Sequence, residues 1–186
     1  MSGSSNSPAE GPATPPAPNL ADFLWHVHGN LAEQIKFADQ KSGFVAVLAT
    51  GVMGGLHSVK VHESFTQHPI GEWGWSGYAA ALAFGLLAFS LLSCFASITP
   101  RRRSNQRLGF IFWGGIAEYE TEQAFYEGLL ASSSEDLTAH LSYQTYGLAR
   151  ICKEKYSWLS YAIGAAVAGS ELGGVLLLFS ALAGSS

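Results

Sequence analysis

Three apolar blocks with sharp polar boundaries organise the chain. The first runs from Gly43 to Leu56, about 14 residues, which falls short of the roughly 17 needed to cross a bilayer. Ser42 and His57-Ser58-Val59 can extend it to 42–59, with Lys41 and Lys60 snorkelling at its ends. A buried helix or a re-entrant segment remains the alternative. The second block, Gly77–Ile98, contains no charge. Glu72-Trp73-Gly74-Trp75 precedes it, in the manner of an interfacial aromatic belt, and Thr99-Pro100-Arg101-Arg102-Arg103 ends it abruptly. The third block, 158–183, carries a single acid, Glu171. A mid-span Asp costs about 2.5–3.5 kcal/mol, and each Leu, Ile, Phe or Val returns about 0.3–0.6. If Glu behaves like Asp, the nine such residues from Ile163 to Leu182 return roughly 3–5 kcal/mol on that scale, so the segment inserts by a small margin that a partner for Glu171 would widen.

Between the blocks the apolar period changes. Leu20, Phe23, Leu24, Val27, Leu31, Ile35 and Ala38 recur at spacings of three and four, predicting an amphipathic helix over 19–41 with Asn19 as its N-cap. Residues 60–76 form a short polar loop. The region 99–157 predicts two helices. One opens with Phe110, Phe112, Trp113 and Ile116 and continues through Tyr119 to Phe125 and Leu130. Ser133 and Asp136 then stand at capping-box spacing before a second helix that runs without a break into the third block. The expected fold is all-α: an integral membrane bundle of about three transmembrane helices with a cytoplasmic helical hairpin.

Charge orients this arrangement. The 186 residues hold ten Lys and Arg, and all but Lys60 fall in segments assigned to one side of the membrane. Positive residues accumulate in short cytoplasmic loops. The N-terminus is therefore expected inside, 60–76 outside in the periplasm, 99–157 inside and the C-terminus outside. Residues 1–18, rich in Ser, Pro, Gly and Ala without Lys or Arg, predict a disordered tail and not a secretory signal. Cys94 and Cys152 have no paired spacing, which predicts free thiols. Once the spans are subtracted, too little chain remains for a catalytic domain of ordinary size.

Few residues offer chemistry. Arg101, Arg102 and Arg103, with Arg107, form the densest basic cluster. A stop-transfer and topology signal is the favoured reading; capture of a nucleotide phosphate or acidic lipid head group is the competing one. Glu171 either lines a pore or hydrogen-bonds to a neighbouring helix, since intramembrane acids usually face a bundle interior. Gly51 and Gly55 form a GxxxG, and Ala165, Gly169 and Gly173 make a small-residue face; packing within the chain is favoured over oligomerisation. The six histidines lack metal-site spacing, and no phosphate loop, serine elbow, kinase or nuclease signature is present. No metal, no catalytic residues and no enzyme are expected.

Three short motifs in order resemble one family. Ile35-Lys36-Phe37-Ala38-Asp39-Gln40-Lys41 leads into the first block, Ile98-Thr99-Pro100-Arg101 leaves the second, and Lys155-Tyr156-Ser157-Trp158-Leu159 enters the third. Their order and spacing, over residues 20 to 182, are similar to the small transmembrane effectors of Pycsar antiphage systems. The resemblance implies a multi-pass protein of the bacterial inner membrane and a partner pyrimidine nucleotide cyclase making cCMP or cUMP during infection. It further implies an effector that answers this ligand by impairing membrane integrity, giving abortive infection. It points to Lys36, Asp39, Lys41 and Arg101, beside Arg102 and Arg103, as ligand-binding candidates. An ion pair of Asp39 with Lys36 or Lys41, holding two helices together, is the structural alternative. No cofactor beyond that ligand is implied. A membrane-anchored adaptor subunit and a nucleotide-independent, holin-like pore former are the competing functions, and a homo-oligomer is compatible with each.

Overall fold

The computed structural model describes residues 19–67, 69–99, 110–111 and 113–183. The tail 1–18 and the arginines at 101, 102, 103 and 107 lie outside the described residues. Helix α1 spans Leu20–Ser58, α2 Glu63–Thr66, α3 Trp75–Ile98, α4 Trp113–Ile116, α5 Glu122–Ala131 and α6 Ser134–Ala183. A 3₁₀ turn covers Ile70–Glu72. Every element among the described residues is helical. Helices α1, α3 and α6 pack pairwise into a three-helix bundle.

The amphipathic segment and the first apolar block form one continuous helix of 39 residues. Asn19 Oδ1 accepts a hydrogen bond from the Ala21 amide at 3.2 Å, capping its start. A Schellman turn ends it: the Lys60 amide donates to His57 O at 3.0 Å and the Val61 amide to Leu56 O at 3.1 Å, with Lys60 left-handed at φ 63°. Val61 packs on Leu56, the apolar contact typical of that turn. The segment predicted as loop beyond it contains α2 and the 3₁₀ turn. It packs tightly on α3, where a Cβ at Gly77 would stand 2.7 Å from Ser64 O.

Helix α6 runs unbroken for 50 residues, about 75 Å at 1.5 Å per residue. Its start is a reciprocal capping box. The Asp136 amide donates to Ser133 Oγ at 3.1 Å, and Asp136 Oδ2 accepts from the Ser133 amide at 3.2 Å. The single helix expected from Phe110 to Leu130 is not one helix. It divides into α4 and α5 because Gly114 and Gly115 weaken the first turn, and because Thr121 restarts the chain as an N-cap with Oγ1 3.1 Å from the Ala124 amide. The apolar residues at helical spacing instead meet as rings. Phe110 lies 6.2 Å from Phe125 and 5.4 Å from His140, joining this segment to α6.

Helices α3 and α6 are each long and apolar enough to cross a membrane, and only about a third or less of their most apolar windows is buried. A soluble core would bury them. Here the interior joins small and hydroxyl-bearing residues to a few leucines: Ser42, Ser90, Ser93, Ser97, Ala83, Ala162 and Leu87 are enclosed, while Leu82, Phe89, Leu92, Phe95 and Leu178 point outward. That inversion suits hydrocarbon as the surrounding solvent, where helices associate through close backbone approach and interhelical hydrogen bonds. By the same length and composition test α1 is not such a helix, because its apolar half is short.

Candidate functional site

The buried polar side chains gather towards one end of the bundle, where the apolar parts of α1 and α6 begin and α3 ends. Asp39 comes from α1, Ser97 from the last turn of α3 and Lys155 from α6. The last four carbonyls of a helix have no intrahelical partner and carry the negative end of its dipole. Ser97 O is one of them. It accepts from Lys155 Nζ at 2.9 Å, and the same ammonium donates to Asp39 Oδ1. Lys155 is 8 % exposed, so its charge needs both acceptors.

Hydroxyls extend the junction. Ser42 Oγ donates to Ser97 Oγ at 3.0 Å, and Ser97 Oγ donates to Lys155 O at 3.3 Å. Nearby, Tyr156 Oη donates to Gln34 Oε1 at 2.9 Å. Deeper along α3, Ser90 Oγ donates to Ala162 O at 2.7 Å. Each bond joins two helices, so together they fix the rotation of α1, α3 and α6 about their axes. Ser93 Oγ, enclosed on the same face of α3, has no hydrogen-bond partner among the described residues.

The candidate residues separate. Lys36 and Lys41 are exposed on α1 and do not reach Asp39; the expected pairing of Asp39 with Lys36 or Lys41 is replaced by Lys155. Lys41, two positions on, faces another way, and Lys36, one turn back, leaves the carboxylate to the cation that α6 brings. Arg101, Arg102 and Arg103 are not described. Reading by spacing had placed Lys155 at the entry to the third block without a charge partner. Its signal was its place in the Lys155-Tyr156-Ser157-Trp158-Leu159 motif at the entry to the third block.

Glu171 does not face the bundle interior. It is exposed on the opposite side of α6 from Lys155, Leu159, Ala162 and Leu176. The small-residue face of α6 is an interior seam: a Cβ at Gly169 would meet Ala83 O at 3.1 Å and one at Gly173 would meet Leu56 Cδ1 at 2.7 Å. Gly51 and Gly55 behave differently. Nothing lies within 4 Å of a Cβ built on either, so the GxxxG of α1 packs on none of the described residues.

Other chemistry is sparse. Among the described residues no group of three or more His, Cys, Asp or Glu is placed to hold a metal ion. Cys94 and Cys152 are free, and burial pushes the Cys152 thiol up, away from the thiolate that nucleophilic chemistry needs. A groove of about 250 Å³ is lined by Arg150, Lys153, Glu154, Ser157 and Trp158.

Comparison with known proteins returns one family. The model of the Pycsar effector protein domain matches residues 23–184. No curated protein and no solved structure matches the chain.

Proposed function

The chain belongs to the Pycsar effector family and is thus an antiphage defence effector; from that premise we propose that it responds to cCMP or cUMP made by a partner cyclase and impairs the bacterial inner membrane. In this reading α3, the apolar part of α6 and the apolar half of α1 span the bilayer. The Lys155 end lies in the cytoplasm, where the positive-inside rule puts the arginines that follow Ser97.

The observation that carries the reading is the Asp39–Lys155–Ser97 junction. It is a buried cation held by two acceptors from two other helices. A cyclic mononucleotide presents one phosphodiester charge and a planar base. Its phosphate offers a basic end of the bundle a rival to the Asp39 carboxylate, and the exposed Lys36 and Lys41 on either side of Asp39 in sequence strengthen the local field. Once Lys155 is shared with a ligand, the clamp between α1 and α6 loosens. The ligand shifts the bundle only by its differential affinity for the two arrangements. Death of the infected cell before phage mature is the outcome of this leak.

The test uses the full chain in liposomes with a membrane-potential dye. cCMP or cUMP is expected to collapse the potential and cAMP to leave it unchanged. An unchanged potential with every nucleotide would support the adaptor reading, and collapse without nucleotide the holin-like one; either result rejects the proposal.

A further inference from the structure

Glu171 sits near the middle of the span. The Phe179 ring packs on Trp75 at the belt end, at 5.6 Å, and Glu171 lies eight residues below it, about 12 Å along the helix. Its carboxylate points away from α1 and α3 and makes no hydrogen bond or ion pair among the described residues. An acid on the lipid side of a span lacks the partner that such groups require.

A second open surface lies at the same depth. Helices α1 and α6 run parallel: Asp39 pairs with Lys155, and Leu56 meets the position of Gly173. A residue of α1 is therefore level with the α6 residue about 116 positions later, and the level of Glu171 on α1 belongs to Gly54 and Gly55. Both are exposed, as is Gly51 one turn below, and nothing lies within 4 Å of a Cβ on any of the three. Ser58 adds an exposed hydroxyl next to them. On α6, Gly164 is open on the face of Glu171.

We infer that copies of this chain assemble side by side, the Glu171 face of α6 in one copy seated on the Gly51–Gly54–Gly55 face of α1 in the next. The glycines let the two helices approach closely, which brings the carboxylate within reach of the Ser58 hydroxyl, a donor that turns from Gly55 O, 2.8 Å away, to the acid. A second copy is the occupant that the depths select. In a common bilayer it offers an open α1 face at the level of Glu171 and parallel to α6. Two different faces meet, so the contact is heterologous and propagates, closing into a ring when the rotation permits. The inference rests on the membrane-embedded bundle proposed above and adds how its copies join.

Cross-linking in liposomes tests it, in a Cys94→Ala, Cys152→Ala background. Val47 on α1 and Gly164 on α6 are both exposed and level with each other. The double variant Val47→Cys, Gly164→Cys is expected to give a ladder of disulfide-linked dimers, trimers and larger species, and each single variant none. Gly54→Leu and Glu171→Leu are expected to reduce the ladder at least tenfold, while Glu171→Gln retains it. Glu171→Leu removes a charge from a lipid-facing position and favours insertion, so its effect is not a failure to fold. Absence of the ladder, dimers from Gly164→Cys alone, or a ladder indifferent to Gly54→Leu would each overturn the inference. A missing ladder with a nucleotide-dependent leak intact overturns assembly alone; a ladder without that leak overturns the proposed function alone.

Discussion

The Asp39 carboxylate and the Lys155 ammonium, 116 positions apart in the chain, pair at the junction of the three long helices. Asp39 is the more exposed partner, its side chain 37 % accessible against 10 % for Lys155. The asymmetry means that each partner's loss has a different consequence. Asp39→Asn leaves a buried ammonium with neutral acceptors and no counter-charge, an expected loss of about 1–3 kcal/mol. Adding Lys155→Met is expected to recover part of that loss, because no charge then remains unpaired. Thermal unfolding of the four proteins of this cycle in detergent reads the coupling, expected to exceed about 0.5 kcal/mol.

The serines of α3 are not equivalent. Ser90 Oγ donates to Ala162 O, whereas Ser93 Oγ is enclosed without a partner among the described residues. Ser90→Ala is expected to destabilise by about 1 kcal/mol, and Ser93→Ala to be neutral or stabilising. Equal losses at the two positions, measured by the same unfolding assay, would contradict the assignment.

Glycine 77 is required for contact and not for backbone conformation. Its Cβ would lie 2.7 Å from the Ser64 carbonyl, a backbone atom that cannot rotate away. Gly77→Ala is expected to lower stability by about 1–3 kcal/mol through overpacking. Gly85→Ala, with nothing within 4 Å of the new methyl, is the matched control and should be stabilising or neutral.

Acid should loosen the start of α6. The Ser133 hydroxyl and amide hold the Asp136 carboxyl below its ordinary value. A carboxylate depressed in the folded state contributes stability above its unfolded value, near 4, and that contribution disappears as the pH falls through the folded value. Helicity at the start of α6, followed by hydrogen exchange, is expected to hold from pH 7 to about 5 and to fall below about 4. Asp136→Asn should flatten that profile.

What could be read from the sequence follows from the range of the interaction. The second block, read as Gly77–Ile98, is α3 but for two residues, because an uncharged run bounded by tryptophan and proline-arginine is decided locally. The caps at Asn19 and Ser133–Asp136 were equally legible, each being complete within four residues. Asp39 was visible as a candidate, but Lys155 lay beyond any local rule, and the nearby Lys36 and Lys41 were decoys. Periodicity also merged α4 with α5, since rings at helical spacing fit one long helix as well as a cluster folded around Phe110. For Glu171, the interior preference of intramembrane acids does not hold within one chain, because the residue falls on the face of α6 opposite the buried seam of Lys155, Leu159 and Ala162.

Helix α6 passes from its cap at Ser133 to Ala183 with no break, and carries both Lys155 and Glu171 on opposite sides. It therefore works as a single axle. A rigid rod has no way to absorb torque between its ends, so any turn imposed at the ammonium swings the acid by the same angle about two dozen ångströms away. On the proposed function and the proposed assembly, recognition on one side of the membrane and registry between neighbours within it share one degree of freedom.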